Sequence, residues 1–143
     1  QNIDGLHQAA GSNEVLELHG SAQRNTCLGC GAFRDMAWML ATTGIPRCED
    51  CGSMVRPEVV LYEEALDEDV MTRAMREIRQ ADLLVVGGTS LNVHPAAGLV
   101  RFCEGRIALV NRDETPMDHL ADLVVHDLLG GVLGDAVDEL LGA

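Results

Sequence analysis

The sequence predicts an α/β protein in which a parallel β-sheet is accompanied by a small inserted zinc ribbon. Three observations support this fold class: two Cys-x-x-Cys pairs, short apolar runs that end in polar or glycine residues, and amphipathic helical patterns between those runs. Strands that alternate with helices favour a parallel sheet covered by helices on both faces. A chain of 143 residues is long enough for one domain with one insertion.

The zinc ribbon is predicted from the spacing of four cysteines. They form two Cys-x-x-Cys pairs: Cys27 with Cys30, and Cys48 with Cys51. Pairs separated by residues 31–47 are typical of a zinc site, in which four thiolates close a tetrahedral shell with no open position. Two disulfides, or four unrelated cysteines, are the alternatives. We therefore expect a structural metal module over residues 24–57, with function on either side of it.

Four short apolar runs are predicted as buried parallel strands. They cover residues 58–62, 82–86, 106–110 and 122–126. Three helices are predicted around them, the first with one apolar face and an acidic first turn, the second with a proline in its first turn. These helices cover residues 66–78, 95–103 and 131–141.

The composition narrows the class of function. The net charge is -13, with 23 acidic residues against 10 basic ones, and this balance disfavours nucleic-acid binding. An acidic surface could attract a basic peptide, or it could serve solubility alone. No apolar run reaches the roughly 18 residues of a membrane span, and no signal peptide is visible. A thiol-rich zinc pattern fits the reducing cytoplasm.

Glycine and polar residues follow two predicted strands, at the edge where parallel sheets bind ligands. Gly88, Thr89 and Ser90 follow one strand, and Asn111 follows the next. Free amides and hydroxyls there suit phosphate or ribose, although such turns also occur as plain strand-to-helix connections. His19 is a further candidate, but a lone histidine is more often structural than catalytic.

Five ordered motifs together resemble the sirtuins of the bacterial type, which are NAD-dependent protein-lysine deacylases. The motifs are residues 1–7, residues 17–20, the two cysteine pairs, residues 56–64 and residues 88–95, followed by Asn111. The resemblance implies a Rossmann-like domain with an inserted zinc module, and an acyl-lysine peptide bound in the cleft between them. The implied boundaries are residues 1–23 and 58–143 for the Rossmann-like part and residues 24–57 for the zinc module.

The resemblance implies that His19 is the general base. The carbonyl oxygen of the acyl-lysine attacks the ribose of NAD as nicotinamide leaves, and His19 then takes a proton from a ribose hydroxyl. The products are free lysine, nicotinamide and O-acyl-ADP-ribose. By the same resemblance, Asn2 orients ribose or a water, and Asp4 holds the nicotinamide carboxamide. An imidazole with a pKa of about 6.5 suits proton removal near neutral pH.

The resemblance also implies the contacts of both substrates. The residues that contact NAD are Gln1, Ile3, Gly88, Thr89, Ser90, Asn111, and Leu128 or Leu129 near the adenine. The residues around the stem of the acyl-lysine are Val60, Tyr62 and Val93. The backbone of residues 60–63 and 91–93 is expected to pair with the peptide as added strands.

The chain departs from the family pattern in two places. Tyr62-Glu63-Glu64 stands where many sirtuins have Phe-Gly-Glu, which keeps a ring but adds a charge beside the peptide groove. The chain also begins inside the Gln-Asn-Ile-Asp motif, so we expect it to lack an amino-terminal cofactor-binding segment and to bind NAD poorly alone. That missing segment, or another chain, is an expected partner. The competing hypothesis is a truncated, inactive, zinc-stabilised module that binds a peptide or nucleotide.

Overall fold

The structure is a computed structural model that describes residues 1–142. The chain divides into two compact units, Gln1–Met71 and Thr72–Ala143. The domain boundaries predicted after residues 23 and 57 stay a prediction. Within the described part of the chain, the helices are all too short or too polar to cross a membrane.

The amino-terminal unit holds a three-stranded antiparallel sheet and two short helices. Its elements are α1 (Leu6–Ala9), β1 (Gly20–Cys27), β2 (Phe33–Asp35), α2 (Met36–Ala41) and β3 (Val55–Val59). β1 lies in the centre of the sheet, between β2 and β3. Its pairing with β3 shifts register between Ser21 and Asn25, and such an irregularity bends a strand. Both of these side chains are buried, so β1 turns small polar residues towards the interior.

The predicted parallel strand at residues 58–62 is wrong. The strand found there is β3, which starts and ends three residues earlier and pairs antiparallel with β1. The chain leaves the sheet after Val59 because the Leu61 amide donates to the Glu64 carboxylate at 2.9 Å, and this bond closes a turn. An apolar run reveals that a segment is buried, but it carries no information on the direction of its neighbour.

The core of the amino-terminal unit is small. Cys27, Cys48 and Val55 are its buried residues, and Trp38 and Met39 of α2 are among those that pack against them. α2 is held in place because Asp35 caps it by accepting the Trp38 amide at 2.8 Å.

The carboxyl-terminal unit is built on a three-stranded parallel sheet, in the order β4-β5-β6. Its elements are β4 (Leu83–Gly87), a 3₁₀ helix (Ala96–Phe102), β5 (Arg106–Val110), a 3₁₀ turn (Asp118–Leu120), β6 (Leu123–Val125) and α4 (Leu129–Leu141). α3 (Glu68–Gln80) contains the boundary between the units. The three predicted strands here and the first helix are confirmed. The second predicted helix is a 3₁₀ helix, and the third starts two residues before its predicted beginning.

The sheet of the carboxyl-terminal unit has one well-covered face. Val86, Ile107 and Leu109 lie in the core cluster on that face. On the opposite face, Leu83 and Leu123 remain 55% and 56% exposed. The expectation that helices cover both faces of the sheet is therefore met on one face only in the described residues.

Candidate functional site

His19 lies directly before β1 and is held by hydrogen bonds from two sides. Its Nδ1 is 3.2 Å from the backbone oxygen of Gln1, and its own backbone oxygen accepts the Val60 amide at 3.0 Å. A carbonyl oxygen can only accept, so the ring hydrogen of neutral His19 belongs on Nδ1. Nε2 then carries the lone pair, which is the arrangement that a general base needs.

Gly20 allows the backbone beside His19 to approach β3 closely. It has a φ of +74°, and a Cβ at this position would lie 1.9 Å from the backbone oxygen of Glu58. Every other residue type would therefore clash with the neighbouring strand as well as strain its own backbone. The glycine fixes where β1 begins and hence where His19 lies.

The segment of residues 1–4 is tied to β1 by its backbone. The oxygen of Ile3 accepts the Ala22 amide at 2.9 Å, and the oxygen of Asp4 accepts Nε2 of Gln23 at 3.0 Å. These bonds explain why Gln1 reaches the ring of His19. The structure thus brings Gln1, in the motif of residues 1–7, to the ring of His19, in the motif of residues 17–20.

A network of charged side chains near His19 was missed by the sequence analysis. Arg24 contacts Glu17 at 2.8 Å and Glu58 at 2.9 Å, and so links the residues before β1 to β3. Hydrogen bonds from Thr26 and then Arg24 lower the pKa of the Glu58 carboxyl below its ordinary value. No local signal could have revealed this network, because it depends on the register between two strands that are distant in sequence.

The turn after β3 is closed by a second ion pair. Arg56 donates to both carboxylate oxygens of Glu64, at 2.8 and 3.0 Å. The Arg56 guanidinium and the Leu61 amide lower the pKa of Glu64 to about 2. The turn projects Tyr62 into solvent, with its side chain 99% exposed. Val60, which precedes the turn, is half-buried beside His19.

Glu63 has an unusual backbone conformation in this turn. Its φ is +71°, in the left-handed region that favours glycine. This backbone conformation explains why glycine is favoured at this position in the family pattern. Glu63 adopts the same conformation at the cost of some strain.

The four cysteines of the ribbon form one cluster. Their Sγ atoms all lie within 4.8 Å of one another, and the closest pairs are Cys27–Cys51 at 3.4 Å and Cys30–Cys48 at 3.7 Å. In a tetrahedral zinc site with Zn–S bonds of about 2.3 Å, the sulfur atoms lie about 3.8 Å apart. All four thiols are free, so the structure contains neither the two disulfides nor the unrelated cysteines of the alternative readings. The cluster could hold a metal ion.

The electrostatics of the cluster favour a bound cation. The backbone amides of Cys30 and Gly29 lower the pKa of the Cys27 thiol to about 6. The Ala32 amide acts in the same direction on Cys30, but the three other thiols crowd it and its pKa is raised to about 12. The clustered thiols thus oppose the ionisation of Cys30, and a divalent cation would supply the compensating charge for four thiolates.

The carboxyl ends of the parallel strands bring together three of the predicted cofactor residues. The Gly88 amide donates to the oxygen of Val110 at 3.0 Å, and the Asn111 amide donates to the oxygen of Val125 at 3.1 Å. Leu129 lies over the same edge, as shown by the distance of 3.6 Å between Cδ2 of Leu129 and the position that a Cβ would take at Gly88. Backbone amides, a carboxamide and an apolar side chain thus share one edge of the sheet.

His126 also lies at this edge, and no sequence pattern had indicated it. Its Nδ1 is 3.1 Å from the backbone oxygen of Asn111, and its Nε2 is 3.3 Å from Oδ2 of Asp118. Both of these partners are acceptors, so both contacts are satisfied only when the ring carries two hydrogens. His126 therefore links the turn after β5 to the 3₁₀ turn before β6.

The remaining predicted residues lie at the surface or half-buried. Thr89 is half-buried and its hydroxyl accepts the Leu91 amide at 3.3 Å. The exposed ones are Asn2, Asp4, Ser90, Val93 and Leu128. Their predicted contacts with cofactor or substrate stay predictions.

Comparison with known proteins gives a consistent family. Residues 1–95 match the family model described as Sir2 family. A protein named NAD-dependent protein deacetylase from Cutibacterium acnes is 57% identical over 134 residues, which are 93% of this chain and 54% of that protein. One of the same name from Clostridium perfringens is 51% identical over 140 residues, 96% of this chain and 57% of that protein. The chain spans about half the length of these curated relatives.

Solved structures share the fold of the whole chain. A structure described as a Sir2–p53 peptide–NAD+ complex has a TM-score of 0.90 at 36% identity, and covers 99% of this chain and 61% of its own. A structure described as a Sir2 homologue–NAD complex has a TM-score of 0.90 at 39% identity, with 99% and 57% covered. The expected Rossmann-like architecture with a four-cysteine module is confirmed at the level of fold class.

Proposed function

The chain belongs to the Sir2 family, and on that premise we propose that it is the part of an NAD-dependent protein deacetylase that carries the general base and a structural zinc site. The observation that carries this proposal is the geometry of His19. The hydrogen bond from its Nδ1 to Gln1 leaves Nε2 as the proton acceptor. Relatives at 51–57% identity that are named NAD-dependent protein deacetylases support it.

In this proposal the protein removes acetyl, or another acyl group, from lysine side chains of protein substrates. NAD supplies the ribose that receives the acyl group and the nicotinamide that leaves. His19 accepts the proton of a ribose hydroxyl, and the Gln1 oxygen holds the resulting imidazolium, since a hydrogen bond from a charged donor is stronger than one from a neutral ring. Asn2 orients ribose or a water, and Asp4 holds the nicotinamide carboxamide.

The peptide binds along the segment that follows β3. The amide of Val60 is already bonded to His19, so an acyl-lysine stem beside Val60 would bring its carbonyl close to the base. The exposed ring of Tyr62 offers an apolar wall. The amides of Val60 and Leu61 are bonded within the chain, so strand pairing of residues 60–63 with the peptide would use the other backbone groups of this segment. Val93 is kept in the proposal as a further contact of the acyl-lysine stem.

The adenosine end of NAD binds at the carboxyl ends of β4 and β5. Gly88, Thr89 and Ser90 line the phosphate and ribose site, where Gly88 lets the ligand approach the backbone closely, and Asn111 contacts the adenosine ribose. Leu128 or Leu129 packs against the adenine. Because Gly88, Asn111 and Leu129 share one edge of the sheet, a single ligand can reach all three.

Zinc is the metal that the four cysteines fit best. Four thiolates at these separations match a closed tetrahedral site, which stabilises structure and leaves no position for chemistry. Free thiols of this kind persist in a reducing compartment, so we place the protein in the cytoplasm.

The proposal is tested by nicotinamide release from NAD in the presence of an acetyl-lysine peptide. The assay compares this chain with a version extended upstream, each with and without His19→Ala. We expect the extended version to be active and His19→Ala to lower its rate at least about a hundredfold, the usual contribution of a general base. His119→Ala, which changes an exposed histidine, is the matched control.

Two results would count against the proposal. Near-normal turnover of the His19→Ala variant would return His19 to a structural role. An extended version that binds the peptide but releases no nicotinamide would favour the non-enzymatic binding module instead.

A further inference from the structure

The metal cluster has a cationic neighbour that the ligand set does not explain. Arg34 lies in β2, and its side chain is only 18% exposed. Its Nη2 is 3.9 Å from Sγ of Cys48 and 2.8 Å from Oδ2 of Asp50. A guanidinium is thus placed against the sulfur of a ligand that is itself buried.

Further contacts hold this guanidinium in place from other sides. Nη1 donates to the backbone oxygen of Phe33 at 2.8 Å, and the guanidinium carbon lies 5.6 Å from the centre of the Trp38 ring. The second distance is within the range of a cation–π contact. Arg34 is therefore fixed by the ribbon itself and does not depend on Asp50 alone, whose side chain is 63% exposed.

The charge of a loaded cluster explains what Arg34 contributes. A divalent ion with four thiolates carries two net negative charges, which a partly buried site must offset. A guanidinium beside one sulfur offsets part of this charge, although Asp50 shares the same guanidinium, and its N–H also holds that sulfur in one orientation. Groups that bond to metal ligands in this way typically change metal affinity by about 10–100-fold when they are removed.

We propose that Arg34 is an outer-shell residue that retains the metal, by offsetting the charge of the thiolate shell and fixing Sγ of Cys48. The proposal rests on the metal site of the proposed function but not on deacetylase activity. The competing explanation is an ordinary surface ion pair between Arg34 and Asp50, with no effect on the metal.

The test measures how fast the zinc-loaded chain transfers its metal to a chromogenic chelator in excess. We expect Arg34→Gln to release zinc at least about tenfold faster than the unchanged chain. Arg34→Lys should lie between the two, because lysine keeps the charge but cannot reach several partners at once. Arg76→Gln is the control, since it removes the same charge from an ion pair in α3.

Asp50→Asn separates the two explanations. Oδ2 of Asp50 itself lies 3.7 Å from Sγ of Cys48, so Asp50→Asn also removes a negative charge beside the thiolate shell. If Arg34 acts on the sulfur, its contacts with Phe33 and Trp38 keep it in place, and zinc release stays unchanged or becomes slower. If Asp50→Asn and Arg34→Gln release zinc equally fast, or if Arg34→Gln matches the unchanged chain, the proposal is overturned.

A second measurement covers the case in which Arg34→Gln folds poorly. With ¹¹³Cd in place of zinc, the NMR signal of the metal should shift in Arg34→Lys while remaining that of a four-sulfur site. An unshifted signal in a folded Arg34→Lys variant would overturn the proposal. Failure of the unchanged chain to bind zinc or cadmium would overturn it together with the metal site, whereas a deacetylase assay has no bearing on either measurement.

Discussion

The amino-terminal unit buries three residues in its core cluster, whereas the carboxyl-terminal unit, of nearly equal length, buries seven. Two of the three are the cysteines Cys27 and Cys48, while the seven are all apolar and centred on Leu109. The first unit compensates with polar contacts, in which Arg24, Arg34 and Arg56 each contact at least one carboxylate. The second unit therefore relies more on hydrophobic burial than the first.

This difference between the two cores corresponds to a difference in where the candidate sites lie. The candidate base and the cysteine cluster lie in the unit that polar contacts hold, where individual side chains are fixed by directed bonds. The candidate nucleotide contacts lie at strand ends of the unit with the apolar core, where hydrogen bonds between the strands fix the positions of Gly88 and Asn111. A unit with a small apolar core can hold side chains in fixed positions only if polar contacts or a bound metal add to its stability.

Loss of the metal should have the largest effect on the difference in stability between the two units. Removing zinc with a chelator, or changing Cys48→Ala, should abolish hydrogen-exchange protection in β1–β3, because a structural zinc contributes roughly 10 kcal/mol of folding free energy. Amides of β4–β6 should keep most of their protection in the same experiment. Cys103→Ala is the control, since that thiol lies outside the cluster. Equal loss in both units would show that they do not differ as described.

Truncation of a side chain in the apolar core should destabilise the carboxyl-terminal unit. Leu109 is completely buried, and Leu109→Ala should cost about 2–5 kcal/mol of unfolding free energy. Zinc content should stay at one ion per chain. Trp38 is the only tryptophan and reports on the amino-terminal unit, so the fluorescence midpoint in urea should change less than the circular-dichroism midpoint. Leu140→Ala, at an 84% exposed position, should leave both midpoints unchanged.

The ion pair in the turn after β3 gives a smaller and pH-dependent effect. The pKa of Glu64 is lowered from 4.5 to about 2, so its stabilising contribution is complete above pH 4.5 and is lost as the pH falls from 4.5 towards 2. The stability difference between the chain and Glu64→Gln should follow that course. Glu63→Gln is the neighbouring control. A carboxyl carbon of Glu64 that titrates near 4.5 by NMR would contradict the prediction.

The smallest expected effect is a gain in stability. Glu63→Gly should stabilise the amino-terminal unit by about 1 kcal/mol, because glycine adopts a φ of +71° without strain. A thermal melt followed by Trp38 fluorescence measures this. Glu68→Gly, at the start of α3, should instead destabilise by about 1 kcal/mol. A loss of stability in Glu63→Gly would mean that the side chain makes contacts that outweigh the strain.

The sequence predicted the carboxyl-terminal sheet because its strands are continuous apolar runs, which need a buried environment wherever they pair. It did not predict β1, since that strand reads Gly-Ser-Ala-Gln-Arg-Asn-Thr-Cys and its buried Ser21 and Asn25 break any apolar alternation. The predicted parallel direction of β3 was wrong for the same reason, because its antiparallel partner β1 had not been recognised as a strand.

The candidate site shows the same limit. The cysteine cluster followed from spacing alone, because four ligands of one ion must converge. The motif around His19 indicated the residue but not the Gln1 bond that fixes its tautomer, which joins backbone and ring across 18 positions. Arg34 and His126 gave no signal, since each acts through contacts that only the folded chain creates.

The composition of the smaller core has a consequence for the life of the protein in a cell. If the cysteines hold the proposed metal, two of the three buried residues of this core are ligands. A newly made chain without metal would then have only Val55 and the half-buried side chains around it to stabilise β1, and the segment beside His19 would be open to proteases. The amount of folded protein in a cell would then depend on the supply of the ion as well as on the rate of synthesis.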